Sequence, residues 1–183
     1  EQFEAFASLN YPPLAESGVH LNFNEAYIYQ PKKEEKALIV RKNLEANIVI
    51  LKLFPGITKE IIASIFSIPY LKGVVLETYG AGNAPTQQWF LALIKQVIKN
   101  GIKIVNVTQC VGGSVLLGHY ETSIQLKEIG IIDGKDITTE SAVVKLMYLL
   151  GEQLSDKAFK QFFGVSPGKV RKGAHSYEEQ VQK

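Results

Sequence analysis

Two loops hold most of the residues whose types suit them to chemistry. The first, Tyr79-Gly80-Ala81-Gly82-Asn83-Ala84-Pro85, joins a β-branched and apolar run (73–79) to an amphipathic run ending at Asn100. Its glycines permit positive φ and close approach of a ligand to the backbone. The N–H groups and positive dipole end of the following helix would suit a carboxylate or phosphate. The loop lacks the third glycine of a dinucleotide fingerprint and the Gly-Lys-Ser/Thr of a P-loop. Taken alone, the residues favour a tight strand-to-helix turn. The second loop runs from Thr108-Gln109-Cys110 to Tyr120-Glu121-Thr122. Cys110 has no histidine close in sequence, and it reads as a buried structural cysteine in preference to a nucleophile. His20, His119 and His175 share no metal-ligand spacing, so no metal is expected. Asp133 and Asp136 flank Gly134 and read as a turn followed by a helix cap. There is no Ser/His/Asp elbow, paired-carboxylate motif or Walker sequence.

The elements that must position these loops follow from the hydrophobic pattern. Ala37–Val40, Ile48–Phe54, Gly73–Tyr79 and Ile102–Val107 read as strands. Thr58 is the expected N-cap of a helix over 59–67, and Thr86 that of the helix reaching Asn100, whose stripe is Phe90, Leu93, Ile94, Val97 and Ile98. Asn100-Gly101 stops it. Further helices are expected over 122–129, 139–150 (opened by Asp136 or Thr138) and from Ser155 to Gly164. Strands alternating with helices imply βαβ units: a small three-layer α/β domain with a mainly parallel sheet of about four strands, flavodoxin-like. Ligands of such sheets bind outside the carboxyl ends of the strands, where both loops fall. Residues 1–35 read as a linker or packed arm, 36–165 as the α/β domain and 166–183 as a polar tail.

Composition narrows the function classes. Of 183 residues, 46% are apolar and 21% charged, which excludes a disordered or fibrous chain. A net charge of +2 gives no footprint for nucleic acid or a membrane surface. A single cysteine rules out an intrachain disulfide and fits a cytoplasmic setting. The apolar runs are too short to span a bilayer. The sequence opens on Glu1 and its one methionine is Met147, so a processed product or part of a larger protein is expected.

Six segments together resemble the type I, cytoplasmic-type L-asparaginases: FEAFASLNYPPLAESGVH (3–20), LKLFPGI (51–57), GVVLETYGAGNAP (73–85), GIKIVNVTQC (101–110), GHYETS (118–123) and IGIIDGKDITTESAVVKLMYLLG (129–151). The resemblance implies the C-terminal domain of such an enzyme with its inter-domain linker, of asparaginase C-terminal type. The family's nucleophilic threonine lies in an N-terminal domain, so no catalytic residue is expected here. It also implies that Asn83 and Glu121 serve the active site of a neighbouring subunit in a homodimer or homotetramer. A carboxylate would pair with the substrate α-ammonium, and an amide would orient both. Their bland alternatives are a turn asparagine and a first-turn helix glutamate. Some members carry an effector site that would here involve Gly82, Asn83, Thr108 and Cys110. Its basic strand residue is replaced by Glu77, which would repel an effector carboxylate and argues against such control. L-asparagine is the expected ligand; no cofactor, nucleic acid or membrane partner is expected. Two other readings stand beside this one: the asparaginase-like subunit of a glutamyl-tRNA amidotransferase, and a non-enzymatic amino-acid-binding regulatory module.

Overall fold

The computed structural model describes residues 9–28, 30, 40–118 and 121–164, with the backbone alone for Glu121 and Thr122. Within the expected arm, Ala15–Ser17 (β1) and Leu21–Phe23 (β2) form a small antiparallel hairpin, Glu16 opposite Asn22. The expected strand over 37–40 lies outside the described residues except for Val40, which is irregular. The sheet comprises Ile48–Lys52 (β3), Gly73–Thr78 (β4), Lys103–Thr108 (β5) and Ile132–Asp133 (β6), all parallel and in chain order. The expected number of strands is therefore present, although the fourth is Ile132–Asp133, which the sequence reads as a turn. Only two residues pair there, Ile132 with Val105 and Asp133 with Asn106, too few to register as a periodic run.

β3 is connected to β4 by Lys59–Phe66 (α1), β4 to β5 by Gln88–Lys99 (α2), and β5 to β6 by Glu121–Ile129 (α3). Adjacent parallel strands linked by crossovers of one hand place all three helices on one face. Ile62 of α1, Phe90, Ile94 and Val97 of α2 and Leu126 of α3 are indeed buried there with Leu51, Val74, Leu76 and Ile104. The alternate strand positions Val75, Val105, Val107 and Ile132 face Thr139–Gly151 (α4) and Asp156–Gly164 (α5), meeting Ala142, Leu146, Leu149, Phe159, Phe162 and Phe163. Burial on both faces explains why β4 and β5 read as apolar runs and not as alternation. Each fully buried Leu or Phe contributes about 1.5–3 kcal/mol.

The helix ends follow local chemistry. Thr58 Oγ1 accepts from the Ile61 N–H and Thr138 Oγ1 from the Ser141 N–H, so Thr138 and not Asp136 caps α4. Ser155 Oγ accepts from the Ala158 N–H at 3.4 Å. Thr86 does not cap α2. Gln87, in extended conformation, holds the N-cap position without a side-chain bond, and residues 84–87 after the loop are irregular before the helix begins. At the far end of α5, the ammonium groups of Lys135 and Lys145 donate to the carbonyls of Gly164 and Phe163 at 2.8 and 2.9 Å, where the dipole favours cations.

Candidate functional site

The loop after β4 is fastened along its length. It closes on itself through Tyr79 and Asn83, whose N–H groups each donate to the other's carbonyl at 2.9 and 2.8 Å. Three successive carbonyls then accept hydrogen bonds from β5 or the chain beyond it. Gly80 O accepts from Thr108 Oγ1 at 2.5 Å, Ala81 O from the Leu116 N–H at 2.9 Å and Gly82 O from Asn106 Nδ2 at 3.3 Å. Gly82 adopts φ 104°, and a Cβ there would lie 2.8 Å from Val115 Cγ1. Glycine is required by conformation and by space together.

Residues 115–118 join this loop to the start of α3. The Val115 N–H donates to Lys135 O at 2.8 Å, and buried Ser123 accepts from the Gly118 N–H at 3.0 Å. Asp133, at the end of β6, accepts from the Lys135 N–H at 2.9 Å. Burial raises its pKa, opposed by that bond, the nearby Lys135 charge and the Leu117 N–H. An open groove of about 400 Å³ beside this segment is lined by Asn10, Ser114, Leu116, Asp133, Lys135 and Asp136. Asn10 reaches in from the arm and donates to the carbonyl of Gly113 at 3.0 Å.

The expected site residues do not all fall together. Gly82, Asn83 and Thr108 meet at the carboxyl ends of β4 and β5, and Asn83 is half-buried. Glu121 opens α3, while its side chain, His119 and Tyr120 lie outside the described residues. Cys110 is exposed, which corrects the expectation of burial. The chain turns out of the sheet there: the Gly113 N–H donates to Cys110 O, and the Cys110 N–H donates to Thr108 Oγ1. Glu77 occupies the opposite sheet face. Its carboxylate accepts from Thr139 Oγ1 at 2.6 Å and stands 3.5 Å from Lys52 Nζ, tying β4 to α4. Among the described residues, no group of three or more His, Cys, Asp or Glu side chains could hold a metal ion.

Sequence reasoning missed Thr78 and Asn106, both fully buried, whose side chains bond at 2.6 Å beneath the loop. The available signal was an asparagine inside the apolar run Ile-Val-Asn-Val. It also missed Gln109, whose amide donates to Leu53 O and Glu77 O and ties the ends of β3 and β4 together.

Residues 47–163, which contain the whole sheet, these loops and nearly all of α5, match the Glutaminase/Asparaginase C-terminal domain family. The chain belongs to that family. It is 35% identical over 159 residues to L-asparaginase 1 of Escherichia coli (strain K12), covering 87% of this chain and 46% of that protein. It is 33% identical over 150 residues to a Glutamyl-tRNA(Gln) amidotransferase subunit of Methanobrevibacter smithii, covering 81% and 34%. The crystal structure of L-asparaginase I from Vibrio cholerae superposes with a TM-score of 0.79 at 34% identity, over 91% of this chain and 50% of that one. This member of the family thus spans about half the length of the asparaginases it matches, and the expected fold agrees with theirs.

Proposed function

We propose that this chain is the C-terminal domain of a cytoplasmic L-asparaginase. The enzyme would hydrolyse L-asparagine to L-aspartate and ammonia with a threonine nucleophile on its N-terminal domain. This domain would complete the active site of a neighbouring subunit in a homodimer or homotetramer, Asn83 orienting the substrate and Glu121 pairing with its α-ammonium. The observation that carries the reading is the loop that holds Asn83 at the carboxyl ends of β4 and β5, where α/β sheets bind ligands. The identity to L-asparaginase 1 supports it.

Within this scheme the domain binds and orients, and supplies no nucleophile. Near the loop, the hydroxyls of Thr78 and Thr108 donate to an amide oxygen and a backbone carbonyl, which do not act as general bases. Thr139, whose hydroxyl donates to the Glu77 carboxylate, lies on the opposite face of the sheet from Asn83. The test is substitution in the full-length enzyme. Glu121→Gln keeps shape and removes charge; losing one partner of a desolvated charge pair costs about 2–5 kcal/mol, about 30-fold or more in kcat/KM. Asn83→Ala should lower kcat/KM comparably, with melting temperature little changed. Near-parental kcat/KM in either variant would remove that residue from the site.

The likeness to the Methanobrevibacter smithii protein favours one second reading, the glutamyl-tRNA amidotransferase subunit. It predicts that amide hydrolysis requires a partner and glutamyl-tRNA. Turnover of free asparagine by the full-length protein alone decides for the asparaginase.

A further inference from the structure

Asn106 is wholly buried on a strand whose other inward-facing residues are apolar, at a position that nothing in the expected site includes. Its amide is fixed in one orientation. Thr78 Oγ1 donates to Oδ1 at 2.6 Å, and Nδ2 donates to Gly82 O at 3.3 Å. A flipped amide would set its oxygen against the Gly82 carbonyl, oxygen facing oxygen. A buried amide is costly unless bonded, so its retention there calls for a task. Its one long-range side-chain donation is to the residue before Asn83. On the β4 side the paired backbone bonds with Tyr79 hold Asn83 itself. Of the fastenings from β5 and the chain beyond it, those from Thr108 and Leu116 hold Gly80 and Ala81, farther from Asn83 than Gly82 is. Gly82 packs closely against both neighbours: a Cβ there would come within 2.8 Å of Val115 Cγ1 and 3.3 Å of Asn106 Nδ2.

We infer that Asn106, with Thr78 behind it, is a positioning residue that sets where Asn83 stands in the amidohydrolase site. This rests on the asparaginase reading, in which Asn83 touches substrate. Asn106 acts only through Asn83, so its effect must vanish when Asn83 has been removed.

The experiment is a double-mutant cycle in the full-length enzyme with L-asparagine as substrate. Asn106→Asp is nearly isosteric and replaces the donor with an oxygen that repels Gly82 O when ionised. It should lower kcat/KM at least about ten-fold at pH 8, with partial recovery as pH falls and the carboxyl regains a proton to donate. In the Asn83→Ala background the same change should cost less than about two-fold further. Thr78→Val and Thr78→Ser form the second arm and serve if Asn106→Asp does not fold. Valine keeps the β-branched shape and loses the donor, so it should lower kcat/KM; serine keeps the hydroxyl and should restore it. Losses that multiply in the double variant overturn the inference, as does parental kcat/KM in Asn106→Asp or Thr78→Val. If Asn83→Ala itself keeps parental kcat/KM, the role of Asn83 falls and the inference with it. A defective Asn83→Ala combined with multiplying losses sinks the inference alone.

Discussion

Lys145 carries a cost that pH can reveal. Burial, and then the nearby Lys135 charge, lower its pKa from 10.5 to about 8, although its ammonium donates to Phe163 O and lies 5.1 Å from the Phe163 ring centroid. A base with a lowered folded pKa binds fewer protons folded than unfolded between those values. Stability therefore rises from about pH 8 to about pH 10.5, and the full penalty applies below pH 8. Discounted for partial exposure, the change is about 1 kcal/mol. Urea unfolding of the parent and Lys145→Met across this range should show the parent gaining that much relative to the variant. A second residue-scale contrast lies in the site loop. Gly82→Ala, at φ 104° and against Val115, should cost about 1–3 kcal/mol in strain and lower kcat/KM in the full-length enzyme. At Gly80, φ 49° lies near the left-handed region and a Cβ would meet nothing closer than 3.9 Å, so alanine there should cost only about 1–2 kcal/mol. The glycines announced this turn in the sequence. Its fastenings did not announce themselves, because Asn106, Thr108 and Leu116 bond residues 24 to 35 positions away, and local pattern has no access to such pairs. For the same reason Cys110 was misjudged: its exposure is set by where the chain leaves β5.

At the scale of elements, long periodic stretches were legible and short or displaced ones were not. α2 follows its apolar stripe, and Thr58 and Thr138 follow cap chemistry. α4 lies where expected, but of its apolar residues the sequence pointed to Val143, Val144, Met147, Tyr148 and Leu150, whereas the buried face is Ala142, Leu146 and Leu149, because apolar residues run nearly all round this helix. β6 escaped notice because two residues between Gly130 and Gly134 carry no period, and α2 starts after Gln87 and not after Thr86. The two faces of α4 permit a direct check. Leu146 is fully buried and fills the space left by the absent side chain of Gly73, where a Cβ would come within 2.9 Å of Leu146 Cδ2. Val144 is 62% exposed on the same helix. Leu146→Ala should destabilise the chain by about 2–5 kcal/mol and Val144→Ala by less than about 0.5 kcal/mol, read from denaturant midpoints. Equal effects would contradict the assignment of faces.

For the whole molecule, the proposed division of labour predicts that the pure 183-residue chain releases no ammonia from L-asparagine, since covalent amide hydrolysis needs an activated hydroxyl with its base. A coupled ammonia assay, with host asparaginase excluded, checks this; turnover would mean that the chain carries its own nucleophile. The strand order has a consequence of another kind. Because β3, β4, β5 and β6 lie side by side in the order of synthesis, each new βα unit leaving the ribosome docks on the one just made, which keeps the pairing local. The helices between them cover only one face. Val75, Val105, Val107 and Ile132 wait on the other until α4 and α5 emerge. For that interval the nascent chain is a finished sheet with one apolar side open to water, and chaperones that bind such surfaces would be expected to meet it there before residue 164 is free.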